Sequence, residues 1–437
     1  MKGVLAWLAP CRQTAATTGG LITTTVLTTA TGFVFWWLAA RFFSRDAVGL
    51  AGAAVSAMIL LSQVAELGLG TRLAGVLHLD ERPHALAATA LVVSGAFAIA
   101  LAMAFSVLTP TIFPELRPIS SQFISQTVFV VGVGLSTVGS ILDQLMAARS
   151  QNFRRLIRNV AFAIGRLAFL PLAAAGLLND DIAIYTAWVA GLGVSFLVVL
   201  IPGSARRGLA IRPLMWAQLA QMAGDSMSHH VINLSRSSSL WLLPLIVTVM
   251  LSKAANASFY VALMLANSLA LVASSATFTL YIVAAQTPKI LWQQIRFTLA
   301  LSAAAVVLGT AVVWLMGRPV LSLFGEGYAA AGYPAIVILA ATTLPMAVKD
   351  HWISLQRISG NVRRAAGVAS GGLVVELLAS ILGAALGGVV GLAAWRLVAV
   401  TLQASLMAAA VLRATVHPGV ERDSSAGRTS AQGAGLD

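Results

Sequence analysis

Hydrophobic runs of 20 or more residues recur along nearly the whole chain, and this feature constrains the fold more than any other. A soluble core has no use for so many, whereas a bilayer requires about 20 apolar residues for each helical crossing. Twelve such spans fall at about 17 to 40, 48 to 70, 85 to 109, 122 to 147, 157 to 178, 182 to 202, 222 to 250, 256 to 284, 294 to 316, 332 to 355, 365 to 387 and 391 to 412. A 58% hydrophobic composition with only 10% charged residues agrees, as does a mean hydropathy of +0.87. The expectation is an all-α integral membrane protein.

The formal charge of +13 is distributed as topology rather than as a nucleic-acid footprint. With the N-terminus inside, nineteen Lys and Arg fall in inner segments and five, Arg41, Arg45, Arg117, Lys253 and Arg318, in outer ones. The positive-inside rule then places both termini in the cytoplasm of a bacterial plasma membrane. The cluster Arg154, Arg155 and Arg158 is suited to anionic lipid headgroups. The start, "MKGVLAWLAPCRQ", lacks a separable signal sequence, and the single cysteine, Cys11, excludes an intrachain disulfide.

The longest ordered connection, "GSARRGLAIRPLMWAQ" at 203 to 218, divides the spans six and six. The expected organisation is a cytoplasmic N-terminus (1–16), an N-lobe (17–202), a basic linker (203–221), a C-lobe (222–412) and a polar, Gly- and Ser-rich tail (413–437). A shift of 208 residues lays "FSRDAVGLAGAAVSAMILL" (43–61) on "LSKAANASFYVALMLANSL" (251–269), matching Ser44 with Ser252, Ala47 with Ala255, Ala54 with Ala262 and Leu61 with Leu269. An even number of spans per half predicts two lobes related by an axis along the membrane normal, with a substrate cavity between them.

The stretch "QMAGDSMSHHVINLSRSSSLWLLP" (221–244) places charge just before an apolar run. At about 100° per residue, Asp225, His229 and Arg236 lie within roughly 40° of one another, and Asn233 at about 80°. A cation at the depth of Arg236 costs on the order of 2.5 to 3.5 kcal/mol in lipid, so this stripe should face water or partners. Arg166 and Glu376 also lie near mid-membrane. Glu66, Asp143, Lys349, Asp350 and His351 lie toward the inner side, and Arg396 toward the outer. The near-balance of acids and bases permits buried ion pairs joining helices, with Asp143, Lys349 and Asp350 the foremost members expected. Threonines of the first span and Asn256, Asn267 and the serines of the eighth extend the polar surface, with Asn267 the foremost because a lipid-facing amide goes unsatisfied. Gly383, Gly387 and Gly391 read as small-residue helix packing.

No GxxxxGK[ST] loop occurs. No metal cluster is recognisable, since His229 and His230 are adjacent and cannot share a face. Asp180 and Asp181, in a short outer turn, suit no catalytic pair. Catalysis is therefore not expected, and no cofactor or nucleic acid is implied.

Three segments, "RFFSRDAVGLAGAAVSAMILLSQVAELGLGTRLAG" (41–75), "LSKAANASFYVALMLANSLALV" (251–272) and above all "VLSLFGEGYAAAGYPAIVILA" (320–340), resemble the outer turns of Wzx-type polysaccharide flippases. These belong to the multidrug/oligosaccharidyl-lipid/polysaccharide (MOP) exporter superfamily, which includes MATE antiporters and MurJ-type flippases. The resemblance spans residues 14 to 412 and implies two six-helix lobes in a V, with a cleft formed mainly by spans 1, 2, 7 and 8. The implied substrate is an undecaprenyl- or decaprenyl-diphosphate-linked oligosaccharide, with membrane lipids and polysaccharide polymerase or export proteins as partners. MurJ-type flippases carry cavity arginines on their first spans, whereas the first span here is uncharged. Arg236 is the leading candidate for the diphosphate, with Arg166, Lys349, Asn233 and Asn267 beside it; Asp225, His229, Glu66 and Glu376 are candidates for H⁺ or Na⁺ coupling. Two other readings stand beside this one: a MATE-like antiporter for cationic compounds, distinguished by an acidic cleft, and a transport-inactive scaffold for synthases. The basic signature of major facilitators is absent from "GTRLAGVLHLDERPHAL".

Overall fold

A computed structural model describes residues 29–70, 73, 83–149, 151–177, 179–200, 216–284 and 291–416. Those residues are helical throughout apart from turns, as lipid demands of a backbone that must satisfy its own hydrogen bonds. Helix α1 covers 29–42. It is followed by α2 (Arg45–Ala65), α3 (Pro83–Ile112), α4 (Phe123–Ala148), α5 (Asn152–Leu172), α6 (Asp180–Leu200), α7 (Trp216–Met250), α8 (Lys253–Ala284), α9 (Leu291–Ser322), α10 (Glu326–Ile358) and α11 (Val362–Val416).

Helix α11 is two spans. Its helical dihedrals fail at Gly387 and Gly388, where φ of +60° at Gly388 favours glycine. Across that turn Gly372 meets Gln403, Glu376 meets Arg396 and Gly383 meets Gly391, a sequence of pairs that converges on the turn as an antiparallel hairpin requires. Gly383 and Gly391 serve as expected in close packing, since a Cβ on either would lie 2.2–2.3 Å from the other's carbonyl oxygen. Gly387 does not: nothing lies within 4 Å of its Cβ position, and it belongs to the turn.

Several helices run past the limits that hydropathy sets, because their ends are polar but well capped. Ser44 Oγ accepts from the Ala47 amide at 3.2 Å, and Ser252 Oγ from the Ala255 amide at 3.0 Å. The two positions aligned by the 208-residue shift thus act as equivalent N-caps. The turn before α10 rests on Gly325, whose φ of +131° excludes a side chain without strain.

These three turns lie at one end of the bundle, hereafter the capped end. Arg149, Arg154, Arg155, Arg357, Arg363 and Arg364 lie at the other, the basic end, because α4 and α10 finish there and α5 and α11 begin there.

Helices α2 and α8 meet at the capped end. Gly49 approaches Lys253 and Ala257 so closely that a Cβ would fall 1.8 Å from the Lys253 carbonyl oxygen, and Gly52 lies against the Tyr260 ring. Gly49 with Ala257 and Gly52 with Tyr260 are again pairs separated by 208 positions. Residues that touch their own repeat mates mark a local two-fold axis, here running between two parallel helices.

Candidate functional site

A cavity of about 1290 Å³ lies between α2, α4 and α5 on one side and α7, α8, α10 and α11 on the other. It extends from Ala148, Arg155 and Arg357 at the basic end to Leu240, Leu263 and Arg396 deep in the bundle. At the capped end it is shut. Asn256, fully buried, donates Nδ2 to the Gly49 carbonyl at 2.7 Å. Arg45 donates to Ser258 Oγ at 2.7 Å and lies over the Tyr328 ring, and the Trp37 indole donates to the Leu323 carbonyl at 3.0 Å. Trp36 meets Tyr260 at 4.6 Å between ring centroids.

Arg236 and Asn233, expected on one stripe of α7, both line the cavity, with His229 below them. Arg236 is not a lone cation. Its Nε donates to Asp350 Oδ1 at 2.8 Å and its Nη2 lies 2.7 Å from Oδ2, a two-pronged pair with Asp350 of α10. Ser274 of α8 donates to the same carboxylate at 3.4 Å. Asn233 Oδ1 accepts from Arg357 at 2.6 Å. Asn267 lines the wall from α8.

Lys349 and Glu376 also line the cavity, as members of one network. Glu376, 4% exposed, accepts from Arg396 Nε at 2.7 Å and from Ser239, and its other oxygen lies 3.5 Å from Lys349 Nζ. Lys349 donates to Gln403 at 2.6 Å, and Gln403 donates to the Gly372 carbonyl at 2.9 Å. The expectation that Lys349 and Asp350 take part in ion pairs joining helices holds: Lys349 turns to Glu376 and Asp350 to Arg236. Adjacent residues on a helix point about 100° apart and reach different neighbours.

Glu66 sits at the C-terminal end of α2, where Gln144 donates to it at 3.0 Å; among the described residues it has no cationic partner. Asp143 is paired with Arg158, which is 5% exposed and donates Nε to it at 2.8 Å. Arg158 therefore faces the bundle interior rather than lipid headgroups.

Arg166 is the candidate that the fold takes elsewhere. It does not line the cavity; it is 4% exposed, boxed by the rings of Phe162, Trp188 and Phe35 at 4.7, 4.8 and 5.4 Å. It donates to Thr31 at 3.2 Å, its Nε has no partner, and among the described residues no carboxylate pairs with it. The side chain of Asp225 and the threonines from Thr17 to Thr28 lie outside the described residues.

Sequence reasoning missed Arg357 as a cavity residue because it counted toward the inner loop. The signal was its spacing of seven from Asp350, two helical turns on one face. Among the described residues, the lining holds the cations Arg155, Arg236, Lys349, Arg357 and Arg396 against the acids Glu66, Asp143, Asp350 and Glu376.

The described residues thus form a many-helix apolar bundle whose polar cavity reaches the basic end and is shut at the capped end, the class of a multi-pass membrane protein with an internal cavity. The comparisons give that class its fold. The chain superposes on a MATE-family multidrug resistance transporter of the MOP superfamily in its inward-facing conformation with a TM-score of 0.66, at 12% identity, over 89% of this chain and 95% of that one. It superposes on the Vibrio cholerae MATE transporter VcmN with a TM-score of 0.60, at 15% identity, over 91% and 98%. A MOP-superfamily transporter from Pyrococcus furiosus, whose binding pocket is described as reversed in polarity and as suggesting a different function, gives 0.57 at 11% identity over 95% and 98%. No protein-family profile and no curated protein matches the sequence. The chain thus has the multi-pass transporter fold of the MATE/MOP superfamily.

Proposed function

We propose that this protein is a flippase that carries a polyprenyl-diphosphate-linked oligosaccharide from the inner to the outer leaflet of a bacterial plasma membrane, for cell-surface polysaccharide synthesis. The observation that carries the reading is the sign of the cavity. Among the described residues, three of its four acids already hold cations of the chain itself, and the cations outnumber the acids. Such a cavity attracts an anionic headgroup and repels a cationic drug. Reversed pocket polarity has been described for the Pyrococcus furiosus neighbour, so the fold alone does not set the charge of the cargo.

With the basic end in the cytoplasm, as the positive-inside rule places it, the cavity opens to the leaflet where such lipids are loaded. Arg236, Asn233 and Asn267 line the headgroup site, and Lys349 adds positive potential from behind Glu376. Release on the other side requires parting the contacts of Gly49, Asn256, Arg45 and Trp37. Coupling to H⁺ or Na⁺ is assigned to Glu66 and His229 before Glu376, whose oxygens are taken by Arg396, Lys349 and Ser239. Polymerase and export proteins are the expected partners.

A MATE-like antiport of cationic compounds is favoured by one observation, the Glu66 carboxylate at the mouth, which has no cationic partner among the described residues. Depletion of the protein, followed by mass spectrometry of lipid-linked intermediates with a leaflet-restricted label, separates the two. Build-up of one polyprenyl-diphosphate glycan on the inner leaflet is expected. Unchanged intermediates with weakened extrusion of a cationic dye overturn the flippase reading.

A further inference from the structure

Among the described residues, the ion pairs around the cavity differ in how easily they can be exchanged. Glu376 is held by Arg396, Lys349 and Ser239, with both its own side chain and that of Arg396 buried. Arg158 is buried behind Asp143 and also donates to Ser195. The Arg236–Asp350 pair stands apart: its side chains are 29% and 13% exposed, both line the cavity, and Asp350 has one further donor, Ser274, at 3.4 Å. It joins α7 to α10 at the depth where a lone guanidinium is most costly when the cavity shuts.

The edge of the guanidinium formed by Nε and Nη2 is the fork that would grip a phosphate, and here it grips a carboxylate with the same two-pronged geometry. We propose that Asp350 is a tethered stand-in for the diphosphate of the substrate: it ligates Arg236 in the empty carrier, is displaced when the lipid diphosphate enters, and returns when the lipid leaves. This rests on the functional reading above. The exchange has two consequences. Asp350 weakens substrate binding, since only the fraction of carriers with Arg236 released is competent. In return it neutralises Arg236 on the empty return step, so that the lobes close without a bare cation between them. When displaced, the carboxylate keeps Ser274, while Lys349 and His351, its neighbours on α10, are held by Gln403 and Glu376 and by Thr298 and the Ala347 carbonyl.

The test is a double-mutant cycle on the full chain in nanodiscs of neutral lipid, with binding of undecaprenyl diphosphate and of inorganic pyrophosphate measured in parallel. Asp350→Asn is expected to tighten binding by roughly tenfold while lowering the rate of lipid transfer between leaflets, because the empty carrier no longer returns. In the Arg236→Gln background the same change should bring no gain. Glu66→Gln, which also removes a cavity carboxylate, controls for a general field effect.

A gain that survives Arg236→Gln, or that Glu66→Gln reproduces in full, overturns the exchange and leaves the flippase reading intact. Failure of the wild-type protein to bind either probe overturns both. Gain for both probes supports the exchange with the diphosphate as the recognised group, whereas gain for pyrophosphate alone supports it for a soluble anion and sinks the lipid. The variant Arg236→Asp/Asp350→Arg, which keeps a pair, guards against misfolding: it should be as stable as wild type and should lose the ligand.

Discussion

Within a bilayer a charged side chain is tolerated only with a partner or with water, and this chain uses three solutions. Glu376 is surrounded by donors, Arg236 faces the cavity with Asp350, and Arg166 is enclosed by rings. Removing one member of the first kind leaves a buried charge without compensation. Glu376→Gln should therefore destabilise the protein by about 3–5 kcal/mol, read as a lowered unfolding midpoint in detergent, and Glu376→Gln with Arg396→Met should recover much of it. Arg166 depends on planarity rather than charge alone. Arg166→Lys keeps the cation but loses the stacking, at a cost of about 2 kcal/mol for a desolvated site, and should leave undecaprenyl diphosphate affinity unchanged because the residue is outside the cavity. The depth of these charges was legible in the sequence from their place in each apolar run. The partners were not, because they depend on which helices become neighbours. Lys349 and Asp350 were readable as members of ion pairs between helices but not as partners of Glu376 and Arg236, and Arg166 was grouped with cleft residues although Phe162, one turn earlier on α5, hinted at a ring beside it.

Repetition decides how the elements meet. The 208-residue shift drawn from four identities foretold that Ser44 and Ser252 would play one part, and both cap their helices through the same hydroxyl geometry. What the alignment alone did not foretell is that the repeated helices would touch each other. That follows from Gly49 and Gly52, where the absence of a side chain lets α8 approach. Hydropathy located the spans but stopped short at Lys253 and Glu326, since capped polar turns continue a helix without raising its apolar content. Gly49→Ala places a methyl group 1.8 Å from the Lys253 carbonyl oxygen and must push α8 away. It should cost about 1–3 kcal/mol of stability, visible in thermal unfolding. Gly193→Ala in α6, with nothing within 4 Å of the Cβ position, should cost none.

For the molecule as a whole, the proposed transport by alternating access makes the shut capped end one state of a cycle. The capped end is sealed by α2 against α8 and by α1 against the turn before α10, while the cavity reaches the basic end. A packed seal at one end and polar walls at the other give opposite accessibilities to two residues of α8 only about 14 Å apart along its axis, at 1.5 Å per residue. Asn267 lines the cavity, and Ser258, 1% exposed, receives Arg45 at the seal. The single cysteine makes the experiment clean, since Cys11→Ser removes all background. In that background, Asn267→Cys in inside-out vesicles should react rapidly with a membrane-impermeant maleimide, and Ser258→Cys should stay unlabelled from either face. Adding a transported lipid diphosphate should slow the first reaction and expose the second from the outer face, because loaded carriers spend part of the cycle open there. Labelling of Asn267→Cys from the outer face alone, in the empty protein, would mean that the basic end points outward, and the direction of transport argued from the placement of Lys and Arg would have to be reversed.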